Sequence, residues 1–408
     1  MPYRPQGMPL AARSLNAGMR GVVGKPFVGG GLPGWPVRDN AIFDLQFNRG
    51  QRDMRVAIGG RDPASYMGEN ELIQWIAGGT STFPRFTWDQ TTHELLGMLV
   101  EEQRTNVCKY ASDISQAVWN TTTDTSHSTN TAVSPEGTTT GDTLTATAGN
   151  GVRQQAVTTT AIAWTFSAYI MRKTGTGNID ITMDGTTFVT QTINTTTWTR
   201  CVVTQTGGAS TSNPGFRIAT NGDEIYVWGM QAEAGAFVTS FIRTSSATQV
   251  RVGDIATIPN PLASYLANYP GLTLYADFVA VDGIQQAPLA FVNSVDFSTI
   301  TLRKSTGNVL VALCSGFTTI TGATTVAAGR ARVALSVNRN LLLSSANGIS
   351  QGSSVATMTS TAMNLLAIGQ QFAGSYLNSV IKRATVWPFA MTAAQLNTLT
   401  SGDYFGPL

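Results

Sequence analysis

The chain has 408 residues, length for roughly two or three domains. Of these, 42% are hydrophobic and only 12% charged, with a net charge of +2. The apolar share can bury sizeable cores. No Lys/Arg run marks a nucleic-acid binder, and no apolar stretch approaches the length of a transmembrane helix.

Residues 1–40 hold six of the 16 prolines and the patch Gly29-Gly30-Gly31-Leu32-Pro33-Gly34. Such a segment buries too little surface to fold alone and is ordered only when something holds it. Residues 1–38 carry Arg4, Arg13, Arg20, Lys25 and Arg38 and no acid, which leaves 21 basic and 24 acidic residues, a net of −3, in the rest. An extended docking arm laid against neighbouring subunits is expected, and a basic arm could meet an acidic surface. The bland alternative is single charges scattered along a loop. Gly24-Lys25 has the ending of a phosphate loop, but Met19 stands where a glycine is required and Pro26 replaces the magnesium-binding hydroxyl. The N-terminus lacks an apolar core of the secretory type, so a signal peptide is not expected.

Residues 41–106 mix short strand signals and turns, and are expected to form a small β-rich connector. Phe43, Leu45 and Phe47 share one face at period two, and Trp75, Phe83, Phe86 and Trp88 add aromatic mass. Residues 107–250 read as an antiparallel jelly roll. Ile179, Ile181 and Met183 face one side, with Asp180, Thr182 and Asp184 opposite. Asp184-Gly185 predicts a two-residue hairpin, followed by a strand over Phe188 to Ile193. Asn221-Gly222 marks another turn, before Ile225 and Val227 alternate with Tyr226 and Trp228. The Thr-rich run 120–150 reads as loop plus edge strand. Residues 251–271 read as a linker, where Asn260-Pro261 could open a short helix.

Residues 272–408 repeat the β pattern. Leu272, Leu274, Ala276, Phe278 and Ala280 alternate with polar neighbours, as do Val333, Leu335 and Val337. Thr392-Ala393-Ala394-Gln395 has the form of a capping box, predicting a terminal helix that carries Leu396 and Leu399. The fold class expected is all-β: two jelly-roll or β-sandwich domains in tandem, preceded by the extended arm.

Little in the chain points to reaction chemistry. His93 and His127 are the only histidines, neither has a second ligand at metal spacing, and no Gly-x-Ser-x-Gly nucleophile elbow occurs. Cys108, Cys201 and Cys314 are far apart and odd in number, which fits buried thiols in a protein made in a reducing cytoplasm. Asp180 and Asp184 share a strand face and Asp223 is adjacent to Glu224, but with 24 acids in the chain chance pairs are expected. A structural calcium has no ligand spacing that singles it out. Trp119, Trp164, Trp198, Trp228 and Trp387 could stack on sugar rings, yet Trp164, Trp198 and Trp228 fall in strands and read as core. No catalytic residue, metal ligand or cofactor is assigned, and the chain is read as not an enzyme.

Two stretches frame the jelly roll. The first is Leu96-Gly97-Met98-Leu99-Val100-Glu101-Glu102-Gln103-Arg104-Thr105-Asn106, and the second runs from Trp228-Gly229-Met230-Gln231 through Glu233, Gly235 and Phe237 to Ile242. They resemble signatures of tailed-bacteriophage structural proteins of head-fibre and tail-fibre type with carbohydrate-binding-like modules. Ser134-Pro135-Glu136-Gly137 resembles a turn of such modules, and Phe166 to Ile170 and Trp198-Thr199-Arg200 sit where similar strands are found. The stretch Ile381 to Pro388, with the helix at Thr392, resembles the end of concanavalin A-like, laminin-G-like sandwiches. The resemblance covers about 43–400, carries no catalytic set, and leaves residues 1–40 unmatched.

What the resemblance implies is a virion protein, made in the host bacterial cytoplasm, that attaches to capsid or tail through its arm and displays lectin-like sandwiches. Its expected partners are other virion proteins and further copies of itself, as a trimer, with host glycan as a further candidate and no membrane or specific nucleic acid. A glycan-binding receptor-recognition fibre and a polysaccharide-depolymerising tailspike are the rivals. Within the motifs, Glu101, Glu102 and Arg104 are expected to form an ion pair at the entry to the jelly roll, and Asn106, Trp228, Gln231 and Glu233 are expected to be structural residues of the same two motifs. Gly229 and Gly235 are expected at bulges or close backbone approaches, and Phe237, Phe241 and Ile242 are expected to pack a final strand.

Overall fold

Strands whose apolar side chains alternate must close two sheets over a core, and this computed structural model does so twice. It describes residues 41, 43–50, 56–59, 64–76, 84–259, 271–293, 299–356, 363, 365–371 and 375–402. The docking arm expected over 1–40, Phe83 and the helix start at Asn260-Pro261 lie outside these residues.

The first sandwich pairs two five-stranded antiparallel sheets. One runs in the order Thr199–Thr206, Ala163–Thr174, Glu224–Ala234, Thr139–Ala146, Thr125–Val133. The other runs Val189–Gln191, Ile179–Thr182, Gly215–Ile218, Gly151–Gln154, Thr121–Thr123. Ile179, Ile181, Met183, Ile225 and Val227 enter the core between them, as their alternation predicts. Phe216 anchors that core, stacked on Trp119 at 6.3 Å and edge-on to Phe166 at 5.8 Å. The three thiols are buried and free.

The second sandwich packs an eight-stranded sheet on a seven-stranded one. Gly271–Ala280, Gly329–Asn338 and Ser379–Trp387 lie at the centre of the larger sheet and send Leu272, Leu274, Val333, Leu335 and Val386 into the core. The helix Ala393–Ser401 opens on the predicted capping box, Thr392 with Gln395, and buries Leu396 and Leu399.

The strands that precede the first sandwich complete the second. Phe43–Gln46 and Leu95–Val100 lie end to end along Ser379–Trp387, and Arg85–Trp88 adds to Leu95–Val100. Ala57–Gly59 joins the seven-stranded sheet through Ile255–Pro259, so part of the stretch expected as linker is strand. The physical reason is burial. Phe43, Leu45, Phe47, Met98 and Val100 have no core of their own and enter that of the second sandwich. Of the segment expected as a connector, the hairpin Ala64–Met67 with Ile73–Ile76 stays outside the two large sheets. The first sandwich is therefore an insertion between two parts of the second. The chain leaves through Arg104–Asn106 and returns through Gln249–Arg251, which pair antiparallel as a neck.

Three local expectations are corrected. Asp184-Gly185 does turn the chain, but the paired strands end at Ile181 and Val189, so the loop is longer than two residues. The Asp184 carboxylate shapes it by accepting from the Thr186 and Thr187 amides, each at 2.7 Å. Asn221-Gly222 does mark a turn, as expected, and that turn links the two sheets. The stretch Phe237 to Ile242 is loop, because the preceding strand ends at Ala234 and the loop's amides bond side chains instead of a neighbouring strand. The Thr-rich run 120–150 holds an interior strand, Thr139–Ala146, as well as edge strands.

Candidate functional site

Charges are scarce in this chain, so their convergence on one buried place singles that place out. Val100 ends a strand of the second sandwich, and the next residue, Glu101, turns into the neck. Its carboxylate accepts from the Ser240 amide at 2.7 Å and the Ser240 hydroxyl at 2.6 Å. It also pairs with Arg251 Nη1 and Arg85 Nη1, both at 2.8 Å. Arg85 is also bonded to Asp254, the Ser65 carbonyl and Ser240. Asp254 in turn accepts from the Glu101 amide at 2.8 Å. The side chains of Arg85 and Arg251 have 0% exposure.

Two guanidiniums thus face two carboxylates away from water. Such a group holds only when every charge is paired, because an unpaired buried ion is far costlier than the pair is favourable. Burial pushes the Glu101 carboxyl up. Arg251, Arg85 and the two Ser240 bonds overcome that and hold it down at about 2. Burial pushes Arg251 down, and the carboxylates oppose it.

The remaining motif residues extend the same junction. Glu102 binds Arg104 at 2.6 Å and Asn378 through both amide and carboxylate. Arg104 lies 4.5 Å from the centre of the Phe237 ring and fills the space beside Gly235, whose φ is +124°. Asn106 has its hydrogen-bonding capacity filled: Oδ1 accepts from the Cys108 and Ala232 amides, and Nδ2 donates to the Met230 and Ile242 carbonyls. Gln231 bonds Glu233 at 2.8 Å and the Ile242 amide at 2.6 Å. Glu233 also holds both the amide and hydroxyl of Thr239. Trp228 points to the outer face of its sheet, 4.7 Å from Phe241, and Gly229 sits at the bulge beside it with φ +67°.

Glu101, Glu102, Arg104, Asn106, Gln231, Glu233, Gly235 and Phe237 therefore meet in space, and the expected ion pair of Arg104 is with Glu102. Glu101 instead takes Arg85 and Arg251, which the sequence reading left out along with Ser240, Asp254 and Asn378. A signal existed: Arg85 opens a short strand, and Arg251 and Asp254 come 9 and 12 positions after the second motif ends at Ile242. In a charge-poor chain, charge near a signature is a hint of pairing. The basic residues of the arm lie outside the described residues.

The other candidates have structural engagements. Asp180 pairs with Arg217 and accepts from Thr190, while Asp223 pairs with Arg172 and accepts from the Gly177 amide. Glu224 pairs with Lys173. Asp142 is pushed up to about 6, chiefly by burial, against bonds from the Asn130 and Ile114 amides. Trp119, Trp164, Trp228 and Trp387 are buried. Among the described residues no cluster of His, Cys, Asp and Glu could hold a metal ion, and no helix is long and apolar enough to cross a membrane.

Beside the network a cleft of about 300 Å³ opens between the two sandwiches. Tyr169 and Arg200 line it from the first, Leu99 and Val380 from the second, and Tyr66 from the hairpin.

No family model and no curated protein matches the chain. Among solved structures, the CBM40 domain of the Ruminococcus gnavus IT-sialidase bound to α2,6-sialyllactose is similar at 14% identity and a TM-score of 0.28, covering 34% of this chain and 88% of that one. A heptameric SAP-like pentraxin from Limulus polyphemus is similar at 15% identity and a TM-score of 0.28, over 34% of this chain and 73% of that one. Trypanosoma rangeli sialidase in complex with the inhibitor DANA is similar at 14% identity and a TM-score of 0.31, over 38% of this chain and 27% of that one. Likeness this shallow transfers neither ligand nor activity.

Proposed function

We propose that this chain is a structural protein of a bacteriophage virion, a capsid- or tail-attached appendage of fibre or decoration type. Residues 1–40 dock it to other virion proteins, and the two sandwiches are what it displays. It assembles as a homotrimer. The observation that carries this reading is the destination of the two fibre-like motifs. Their polar side chains turn inward and join one sandwich to the other through a buried, charge-paired neck. An appendage needs a stiff joint between its modules, and this network supplies one. A tailspike enzyme would need free carboxylates, whereas Asp180, Asp223 and Glu224 are bonded to Arg217, Arg172 and Lys173, and Asp184 accepts from the Thr186 and Thr187 amides.

The reading is tested by imaging particles assembled without the protein, and with a chain lacking residues 1–38. Loss of one class of external projection in both cases is expected. Particles that keep every projection without the protein, or full incorporation of the truncated chain, would refute it.

A further inference from the structure

The cleft between the sandwiches contains a charge that the fold does not use. Three other arginines at this junction, Arg85, Arg104 and Arg251, have a carboxylate at 2.8 Å or closer. Arg200, on the cleft wall, has no ion pair among the described residues. Its one side-chain hydrogen bond there is Nη2 to the Ser167 hydroxyl at 3.2 Å, and its Nε is buried without a partner. Its guanidinium carbon lies 5.5 Å from the centre of the Tyr169 ring, which holds it against the outer face of the sheet. A half-buried guanidinium without a counter-charge costs stability unless something else is gained from it.

The rest of the cleft matches a particular kind of ligand. Leu99, Val380 and Phe241 give it an apolar wall. The hydroxyls of Tyr66, Thr87 and Ser379 line it and make no side-chain hydrogen bond among the described residues. Apolar surface, a few uncommitted hydroxyls and one uncompensated cation together suit a small, hydroxylated molecule with one anionic group. The volume is at the low end for ligand sites, roughly 300–1,000 Å³, so the cleft takes a short unit and not a long chain. Interfaces between domains are a preferred place for such sites.

We propose that this cleft binds an acidic sugar unit, with the anionic group on Arg200 and the ring hydroxyls on Tyr66, Thr87 and Ser379. The proposal goes beyond the structural role and stands or falls separately from it. A uronate carboxylate and a sugar phosphate ester share the required chemistry, since Arg binds either.

Binding of methyl glucuronoside, glucose 6-phosphate and methyl glucoside to the full chain tests it, by calorimetry with chemical-shift mapping. At least one anionic probe is expected to bind about tenfold or more tighter than the neutral glucoside, the scale of a charged hydrogen bond. Added salt should narrow the gap, and the shifts should centre on Tyr66, Thr87 and Ser379. Whichever anion is preferred identifies the source. Arg200→Gln should abolish the preference, while Arg200→Lys should keep part of it. Equal binding of charged and neutral probes, no binding of either anion to the wild-type chain, or shifts mapping elsewhere would overturn the proposal. The wild-type measurements decide it even if Arg200→Gln fails to fold.

Discussion

At the scale of single residues the neck depends on pairing more than on the number of contacts. Glu101→Gln keeps the shape of the side chain and removes one negative charge, leaving Arg85 and Arg251 against Asp254. Breaking a buried pair in this way costs about 3–5 kcal/mol, because a charge is left buried without its partner. The same residue gives the protein an acid limb. The folded carboxyl sits at about 2, below the ordinary value of 4.5, so its contribution is complete above pH 4.5 and is lost as pH falls toward 2. Asp142 works in the opposite sense. Raised to about 6 from 3.8, it favours the folded state below pH 3.8, and that contribution is lost as pH rises through 6. Denaturant midpoints measured from pH 2 to 7 should therefore show a drop below pH 4.5 in the wild type. The Glu101→Gln chain should be less stable at neutral pH and flatter across that interval. A parallel drop in both chains would mean that Glu101 does not set the limb.

At the scale of elements, glycine placement is what lets the two motifs approach. Gly235 has φ +124°, and a Cβ there would overlap the Arg104 guanidinium. Gly235→Ala should cost more than the roughly 1 kcal/mol typical of an ordinary substitution, since left-handed strain adds to displacement of Arg104 from Glu102 and Phe237. Thermal unfolding of Gly235→Ala and of the double variant with Arg104→Ala checks the cause: the double variant should cost less than the sum of the singles. Much at this scale was legible from the sequence. The alternation in Leu272 to Ala280 and in Val333 to Val337 gave core strands, and Thr392 with Gln395 gave a capped helix. What stayed hidden was whatever depends on distant chain. Asp184-Gly185 reads as a tight hairpin locally, but its loop is set by side-chain bonds to Thr186 and Thr187. Arg85 and Arg251 are 166 positions apart, and nothing in either local sequence says that both face Glu101. Arg200 falls in a stretch that resembles a family strand, and only the fold shows that no acid among the described residues pairs with it.

At the scale of the whole molecule, the order of strands matters more than their number. A tandem pair of sandwiches could be cut between them, whereas an inserted one cannot. Leu95–Val100 and Phe43–Gln46 both pair with Ser379–Trp387, so a chain starting at residue 271 would expose one full edge of that central strand and lose Phe43, Leu45, Phe47, Met98 and Val100 from the core. Burial of each such side chain is worth about 1.5–3 kcal/mol, so the loss exceeds the whole stability of a typical domain, about 5–15 kcal/mol, at its lower end. That fragment should be insoluble or molten. Removing the inserted sandwich is a gentler cut. Asn106 and Gln249 are direct antiparallel partners, so their backbones already lie side by side, and a short Asn-Gly turn can join them. A chain with residues 107–248 replaced by that turn keeps both sheets and the core of the second sandwich. It loses the Ser240 bonds to Glu101, while Arg85, Arg251 and Asp254 remain. It should fold with a cooperative transition at a lower temperature than the parent. Calorimetry and limited proteolysis of the two shortened chains separate the possibilities: a folded fragment from 271 onward together with an unfolded excision chain would show that the strands before residue 101 are not part of that sandwich's stable core.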